Sequence, residues 1–314
     1  MSAEVSTIIP AFNAERTIVQ AIDSALAQDC EDHEVVVVND GSTDATSAVL
    51  QKYSNRIQII TLPNRGASVA RNAGVAGSTG RYLAFLDADD IWLPGKLEIM
   101  TSALKRNPLA SLAFSDYSFI DDNGAACGEL AFGHAFAIEE LASERFLPVF
   151  SFGTGILPST WVIPRQVFER TGGFCEEFKR VDGFEDQWML LLLRELGEFV
   201  YVPGKLTLYR VGESGKKADR YARGLPTFVA QVKRRYGKSG KGLIRDAKNV
   251  QCRRLLSKVA HQMNNKDRLG SIRTLARIAR HRPAYFFGPE FTQRLLLRHN
   301  MKRLWDLVAA PLTK

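Results

Sequence analysis

The alternation of strand and helix signals over the first hundred residues constrains this 314-residue chain more than any other feature. Short apolar runs rich in β-branched residues alternate with segments whose apolar side chains repeat at helical spacing. The predicted strands are Val5–Ile9, Val35–Val38, Ile57–Thr61 and Tyr82–Leu86, and the predicted helices are Glu15–Gln28, Thr43–Tyr53 and Ala67–Ala76. This order is typical of βαβ units and predicts an α/β fold with a Rossmann-like, mostly parallel sheet flanked by helices.

Polar residues follow three of these strands at the point where each strand ends. Asn13 follows the first strand, Asp40 the second and Asp87 the fourth. The carboxyl ends of parallel strands meet at one edge of a sheet, and ligands of such sheets bind beyond that edge. The sequence therefore predicts a binding site there.

The strongest chemical signal is Asp87-Ala88-Asp89, which directly follows a predicted strand. Two carboxylates one residue apart can share a hard divalent cation, since Mg²⁺ and Mn²⁺ prefer oxygen ligands and leave positions open for phosphate oxygens. Asp87 and Asp89 are therefore candidate metal ligands. The alternative is a solvated acidic turn before the next helix, and so short a motif does not decide between the two.

A second polar turn follows the second strand. The Asp40 carboxylate can accept a hydrogen bond from a ribose hydroxyl or a base N–H, and Gly41 permits a tight turn. Ser42, Thr43 and Asp44 fit ordinary turn and helix-capping roles. Asp40 is thus the residue of this turn for which we predict a binding role.

The chain after residue 94 gives weaker signals. We predict, in chain order, helix 95–106, strand 109–120, loops and short elements over 121–158, helix Phe184–Leu196 and strand Phe199–Val202. Glu185 and Asp186 lie at the start of the later helix, where the free N–H groups favour a carboxylate. An aspartate is also a common helix cap, and residue types alone favour that structural role.

The formal net charge of +8 conceals two oppositely charged parts. Residues 215–314 contain 25 Lys and Arg against 5 Asp and Glu, whereas residues 1–214 contain 17 against 29. Beyond a boundary at residues 212–217, apolar residues repeat at helical spacing with Arg and Lys between them. We therefore predict a basic, mainly helical C-terminal region at 215–314 with an anionic partner.

Five groups of residues stand in an order that resembles the family 2 glycosyltransferases, which have the GT-A fold. They are Ile8-Ile9-Pro10-Ala11-Phe12-Asn13, Val36–Thr46, Asn64–Gly74, Gly80–Trp92, and Gly172-Gly173-Phe174 followed by Glu185-Asp186. The resemblance covers about residues 5–210. It implies an inverting enzyme that moves a sugar from a nucleoside-diphosphate donor to an acceptor.

The resemblance also implies a role for each candidate residue. Asp186 would be the catalytic base, with Glu185 beside it at the acceptor or the metal. Asp89 would bind a Mn²⁺ or Mg²⁺ cofactor and the diphosphate, and Asp87 the metal or the ribose. The nucleotide sugar would be held by Pro10, Ala11, Asp40, Arg71, Asp87 and Ala88.

The implied domain spans residues 1–214, with a nucleotide-sugar half at about 1–106 and an acceptor half at about 107–214. UDP is the most frequent donor nucleotide in such families. A saccharide or lipid-linked acceptor is implied, in the synthesis of cell-surface polysaccharide or glycoconjugate.

One position departs from the family's pattern. Many relatives carry a histidine two residues after a Tyr-Arg pair, where it approaches the diphosphate, whereas Tyr209-Arg210 is followed by Gly212 in this chain. A third metal ligand is therefore unassigned. Arg210, Lys216 and Lys217 are the candidates for neutralising the phosphates instead.

Three interpretations compete for the basic region 215–314. Its helices would lie on an anionic membrane surface, with Trp305 and Tyr285-Phe286-Phe287 in contact with lipid, which suits a lipid-linked acceptor. Alternatively, its apolar stripes pack on the α/β domain and on one another. Nucleic-acid binding ranks last, because no helix-turn-helix, zinc or RNA-binding signature is present.

The sequence also predicts a location. No apolar run reaches the roughly 18 residues of a membrane-spanning helix, and the N-terminus lacks a signal-peptide pattern. The 4 cysteines are widely scattered, as expected of free thiols in a reducing compartment. We therefore expect a cytoplasmic protein with peripheral contact at the inner face of the cell membrane.

Two rival functions remain at this point. A nucleotidyltransferase would also pair carboxylates with a metal, but it usually carries a Gly-rich basic loop after the first strand, where this chain has residues 10–15 without glycine, lysine or arginine. A non-catalytic sugar-nucleotide-binding or scaffold protein, docked by its basic region, is the non-enzymatic alternative.

Overall fold

A computed structural model of the chain describes residues 3–30, 32–130, 156–178, 184–211, 214–264 and 267–281. In chain order the strands are β1 (Val5–Ala11), β2 (His33–Asn39), β3 (Gln58–Thr61), β4 (Tyr82–Phe85), β5 (Ile91–Trp92), β6 (Ala110–Ile120), β7 (Ala126–Leu130), β8 (Trp161–Pro164) and β9 (Glu198–Arg210). The helices are α1 (Ile18–Leu26), α2 (Thr46–Gln51), α3 (Ala67–Ala76), α4 (Lys96–Arg106), α5 (Arg165–Thr171), α6 (Glu185–Leu196), α7 (Ser214–Tyr236), α8 (Lys241–Asn264) and α9 (Arg268–His281).

The first four strands pair in parallel in the order β3-β2-β1-β4, as their alternation with helices predicts. Their side chains alternate between two apolar clusters, one on each face of the sheet. In β1, Ile9 packs with Ile18 of α1 on one face, and Ile8 packs with Ala70 of α3 on the other. Burial on both faces explains why Val35–Val38 of β2 and the residues of β4 form continuous apolar runs.

The second half of the sheet is mixed. Strand β8 lies between β4 and β6 and runs antiparallel to both, whereas β6 and β9 are parallel. Strands β5 and β7 add antiparallel pairings to β9 and β6. The predicted α/β fold class is confirmed. The parallel order of β1 to β4 is interrupted by β8, which runs back through the middle of the sheet before the parallel pair β6 and β9.

The start of α1 differs from the prediction for a physical reason. The helix begins at Ile18 rather than Glu15, because backbone N–H groups before it are bound by side chains of the neighbouring turn. Ala14 N donates to Thr46 Oγ1 at 2.8 Å, and Glu15 N donates to Asp44 Oδ2 at 3.2 Å. The predicted helix Ala67–Ala76 matches α3 at both ends, whereas β5, β8 and α5 were not predicted.

The basic C-terminal helices bury apolar side chains. Leu225, Phe228 and Val232 of α7 belong to a cluster with residues of α6, and α8 packs on α9 through a further cluster that includes Leu255 and Ile278. Among the described residues, no helix combines the length and the apolar character needed to cross a bilayer. Residues 282–314, with Trp305 and Tyr285-Phe286-Phe287, lie outside the described part, and the domain division at residue 214 stays a prediction.

The close contact between β1 and Gly80, two residues before β4, gives a stability test. A Cβ atom at Gly80 would lie 2.4 Å from Ser6 N and 2.7 Å from Val5 C, so the backbone of β1 would have to shift. We expect Gly80→Ala to lower the free energy of unfolding by about 1–3 kcal/mol in urea titrations.

The matched control is Gly242→Ala in the first turn of α8, where a Cβ atom meets nothing within 4 Å. That variant is expected to be neutral or to gain about 0.4–1 kcal/mol. Equal stability of the Gly80→Ala variant and the native chain would contradict the close approach of β1.

Candidate active site

The turns after β1 and β2 hold each other through side-chain-to-backbone hydrogen bonds. Asn13 Oδ1 accepts from Thr43 N at 2.8 Å, and Asn13 N donates to Ser42 Oγ at 3.0 Å. Asn13 has a φ of 49°, a left-handed conformation that asparagine tolerates better than most residues. These bonds, with those from Asp44, show that the polar turn is tied to the end of β1.

Asp40 builds the loop that leads into α3. Its buried carboxylate accepts from Arg65 N at 2.6 Å and from Gly66 N at 2.7 Å, and its own N–H donates to Ala11 O at 2.8 Å. The residues Pro10, Ala11 and Asp40, for which nucleotide contacts are predicted, therefore meet at one edge of the sheet. Asp40 holds that edge by binding backbone N–H groups.

The buried side chain of Arg71 forms the central ion pair of this edge. Its Nη2 lies 2.7 Å from Asp87 Oδ1, and its guanidinium carbon lies 5.1 Å from the centroid of the Phe174 ring. Within the described part of the chain, Arg71 Nε and Nη1 are buried and lack hydrogen-bond partners. A buried donor without a partner is costly, so these two N–H groups are suited to a ligand.

Charges from two directions act on Arg71. Burial lowers the pKa of Arg71, but the negative charges of Asp87, Glu185 and Asp186 and the hydrogen bond that Arg71 donates to Asp87 raise it, and the net effect is an increase. Arg71 is therefore acted on both by the aspartate turn after β4, which contains Asp87, Asp89 and Asp90, and by the acidic residues at the start of α6. The structure thus brings together candidate residues that are separated by about a hundred positions in sequence.

Glu185 and Asp186 occupy the first two positions of α6, after the cap residue Phe184. The interpretation of Asp186 as a capping aspartate is therefore wrong. Asp186 Oδ1 accepts from Gln187 N at 2.9 Å, and both acidic side chains are half-buried. The unpaired N–H groups of a first helical turn favour negative charge at this position.

Hydrogen bonds through Ser159 and Asp90 hold the aspartate turn in place. Asp87 N donates to Ser159 Oγ at 3.0 Å, Ser159 Oγ donates to Asp90, and Asp90 Oδ1 accepts from Arg210 N at 2.9 Å. Burial raises the pKa of Asp90 well above its ordinary value, and the negative charges of Asp89 and Asp87 raise it further. Three carboxylates in one turn create a negative field that a cation would relieve.

Arg210 holds this turn against the rest of the sheet. Its buried guanidinium donates to the carbonyl oxygens of Asp89, Asp121 and Asp122 and to Gln20 Oε1. Arg210, one of the candidates for neutralising phosphates, thus uses its donors in hydrogen bonds within the protein. Gly212 and the side chains of Lys216 and Lys217 lie outside the described part.

Residues 6–141 match the family model of glycosyl transferase family 2. Residues 6–141 are thus similar to family 2 glycosyl transferases. A relative from Escherichia coli, UDP-Glc:alpha-D-GlcNAc-diphosphoundecaprenol beta-1,3-glucosyltransferase WfgD, is 40% identical over 121 residues, which are 38% of this chain and 47% of that protein. The family resemblance stated from the sequence is confirmed.

Solved structures share the fold of this chain. TarS of S. aureus in complex with UDP-GlcNAc has a TM-score of 0.58 at 15% identity, over 90% of this chain and 81% of that one. The mannosyltransferase PcManGT of Pyrobaculum calidifontis, in complex with GDP-Man and Mn²⁺, has a TM-score of 0.56 at 17% identity, over 98% and 88%. The chain spans between 18% and 58% of the length of five curated relatives it matches.

Residues beyond the predicted set also build the candidate site. Asn72 clips the loop before α6 onto α3: its Oδ1 accepts from Phe174 N and its Nδ2 donates to Phe174 O, both at 2.8 Å. Gly173 has a φ of 83°, and a Cβ there would lie 2.9 Å from Asn72 Oδ1. The motifs that contain Asn72 and Phe174 were recognised in the sequence, but the contact between them could not be predicted. Ser159 had no sequence signal.

The donors of Arg71 that lack partners give a binding test. Arg71→Lys keeps the positive charge beside Asp87 but removes the planar fork of N–H groups. We expect it to weaken binding of UDP, measured by calorimetry with Mn²⁺ present, about 10- to 100-fold, because a charge-assisted hydrogen bond contributes about 1.5–3 kcal/mol.

Arg165→Lys is the matched control, since that guanidinium already donates to Gly80 O, Val75 O and Ser78 Oγ. It is expected to lower stability without changing UDP affinity. Native affinity in the Arg71→Lys variant would show that the two free donors do not serve a nucleotide.

Proposed function

We propose that this chain is an inverting glycosyltransferase. It transfers a sugar from a nucleoside-diphosphate donor, with UDP as the nucleotide, to a saccharide or lipid-linked acceptor in the synthesis of cell-surface polysaccharide or glycoconjugate. The observation that carries the proposal is the position of Arg71, which pairs with Asp87 and lies within the field of Glu185 and Asp186. One site would then hold the donor and the groups that act on the acceptor.

The donor side is assigned to the edge formed by β1, β2, α3 and β4. Pro10, Ala11 and Asp40 would line the nucleotide, Arg71 would donate to it from Nε and Nη1, and Asp87 with Ala88 would contact the ribose. The names of similar proteins support the choice of donor. TarS was solved with UDP-GlcNAc, and the name of WfgD specifies UDP-Glc and a diphosphoundecaprenol-linked acceptor.

Asp87 and Asp89 would hold a Mn²⁺ or Mg²⁺ ion. Burial raises the pKa of Asp90, and the negative charges of Asp89 and Asp87 raise it further; a cation at this turn would offset those charges. The described residues contain no group of three or more His, Cys, Asp and Glu side chains able to hold a metal ion, so donor phosphate oxygens would complete the coordination. When bound, such an ion stabilises the charge that develops on a departing diphosphate.

Asp186 is assigned as the general base. Its carboxylate would take the proton of the acceptor hydroxyl while that oxygen attacks the anomeric carbon and the bond to the diphosphate breaks. A single displacement inverts the configuration at that carbon. Glu185, the first residue of α6, would contact the acceptor or the metal beside it, and no other residue is assigned as a nucleophile for a retaining route.

The assignment of the base gives a direct prediction. Asp186→Asn keeps the size of the side chain but cannot take the proton, so we expect turnover of UDP-sugar to fall about 10²- to 10⁴-fold while UDP affinity stays within about twofold. Release of UDP is measured with a panel of sugars and acceptors, and the activity is expected to disappear in EDTA.

Glu98→Gln, which removes an exposed carboxylate from the first turn of α4, is the control for helix electrostatics and is expected to leave turnover unchanged. Nucleotide-sugar binding without turnover in the native chain, with every acceptor and with water, would favour the non-catalytic binding or scaffold alternative. Equal loss in both variants would remove Asp186 from the role of base.

We further propose a cytoplasmic location with peripheral contact at an anionic membrane surface, through the region 215–314. Helix α9 exposes Leu269 (64% exposed) and Ile272 (40% exposed), which are three residues apart and therefore share one face. Arg273 is exposed beside them. Apolar residues flanked by arginines fit the boundary between lipid headgroups and acyl chains.

A vesicle assay tests this contact. The double change Leu269→Glu and Ile272→Glu is expected to reduce binding to vesicles of phosphatidylglycerol and phosphatidylcholine about tenfold or more, because each buried leucine or isoleucine contributes about 1.5–3 kcal/mol. Leu109→Glu, at an apolar residue that is 76% exposed before β6, is the control and should bind as the native chain does. Unchanged binding of the double variant would contradict contact through α9.

A further inference from the structure

Helix α7 covers the outer side of α6, the helix that begins with Glu185 and Asp186. Phe228 of α7 is fully buried, and its ring lies 5.0 Å from the ring of Phe184 and 6.0 Å from that of Trp188. Aromatic pairs at these centroid distances attract one another beyond simple burial. The contact falls on the residue that precedes the acidic pair and on one that follows it.

Phe184 has a backbone conformation that needs support. Its φ of 86° and ψ of −4° are left-handed, and it is one of two non-glycine residues with positive φ among those described. Such a conformation is unfavourable for a bulky side chain and persists only where packing holds it. Phe184 O accepts from Trp188 N at 2.9 Å, so this residue sets the direction in which the first turn of α6 begins.

Polar contacts fix α7 at the far end of the same helix. Arg235 Nη2 lies 2.5 Å from Glu195 Oε2, and the Tyr236 hydroxyl donates to Glu195 Oε1. Arg234 of α7 also pairs with Glu177, which precedes α6, at 2.6 Å. Partly exposed pairs contribute little energy singly, but here they determine how α7 lies along α6.

From these contacts we propose that α7 positions the acidic pair, and that Phe228 is the positioning residue, acting through Phe184. This inference rests on the function proposed for Asp186. Phe228 holds the left-handed turn from which Glu185 and Asp186 project. Among the described residues, the apolar cluster shared by α6 and α7 includes none of the donor-side residues, so donor binding should not depend on Phe228.

The test compares three variants of the full chain. Phe228→Ala removes the ring, Phe228→Tyr keeps it, and Val232→Ala removes buried atoms from the same cluster one turn further along α7. Phe228→Ala is expected to lower kcat about 10- to 100-fold, because a misplacement of about 1 Å has such an effect, with the donor KM unchanged. Phe228→Tyr should restore kcat to within a few-fold of native. Val232→Ala should change kcat little, with a smaller loss of Tm because fewer buried atoms are removed.

A second readout does not depend on activity. Hydrogen exchange at the Trp188 amide reports the first hydrogen bond of α6, and it should accelerate about tenfold or more in Phe228→Ala but not in Val232→Ala. The positioning role would be overturned if kcat and the exchange rate changed only in proportion to the loss of Tm, in the same way in Phe228→Ala and Val232→Ala. If the native chain transfers no sugar, the proposed function fails, and the exchange comparison still decides whether Phe228 holds the turn.

Discussion

The ion pair between the buried Arg71 and the partly exposed Asp87 is the interaction on which the rest of the site depends. An arginine side chain stays charged even when it is buried, and a buried charge requires neighbours of opposite charge. Asp87 supplies one at 2.7 Å, and Glu185 and Asp186 add their fields. The sheet edge, the aspartate turn and the start of α6 are thus arranged around one cation, which still offers two N–H groups.

The N-terminal half of the fold was predictable because local sequence and tertiary environment agree there. The run Val35–Val38 is apolar without interruption since both faces of β2 are buried, and Ala67–Ala76 shows clear helical spacing. Strand β5 was missed because a segment of two residues shows no measurable period, and β8 was missed because it lies outside the alternation of strands and helices on which the prediction was based. Their places are set by pairing with β9, β4 and β6, which are remote in sequence.

The site was predictable only in part. The rule that ligands bind beyond strand ends identified Asp40 and Asp87, whereas a role for Asp186 came from the family resemblance. Ser159 was missed because a single hydroxyl carries no local pattern, although it bonds both Asp87 and Asp90. Arg210 was a candidate for the phosphates, but its donors bind carbonyl oxygens, since the turn needs a long side chain to reach across the sheet.

The most direct measurement is a crystal structure of the full chain with UDP and Mn²⁺. The account expects the ion on Asp87 and Asp89, the diphosphate beside it, and Arg71 Nε and Nη1 within about 3.2 Å of nucleotide acceptors. Asp186 should face open space next to the diphosphate. A nucleotide bound elsewhere, with those two donors of Arg71 still without partners, would contradict the central claim that this edge of the sheet is the donor site.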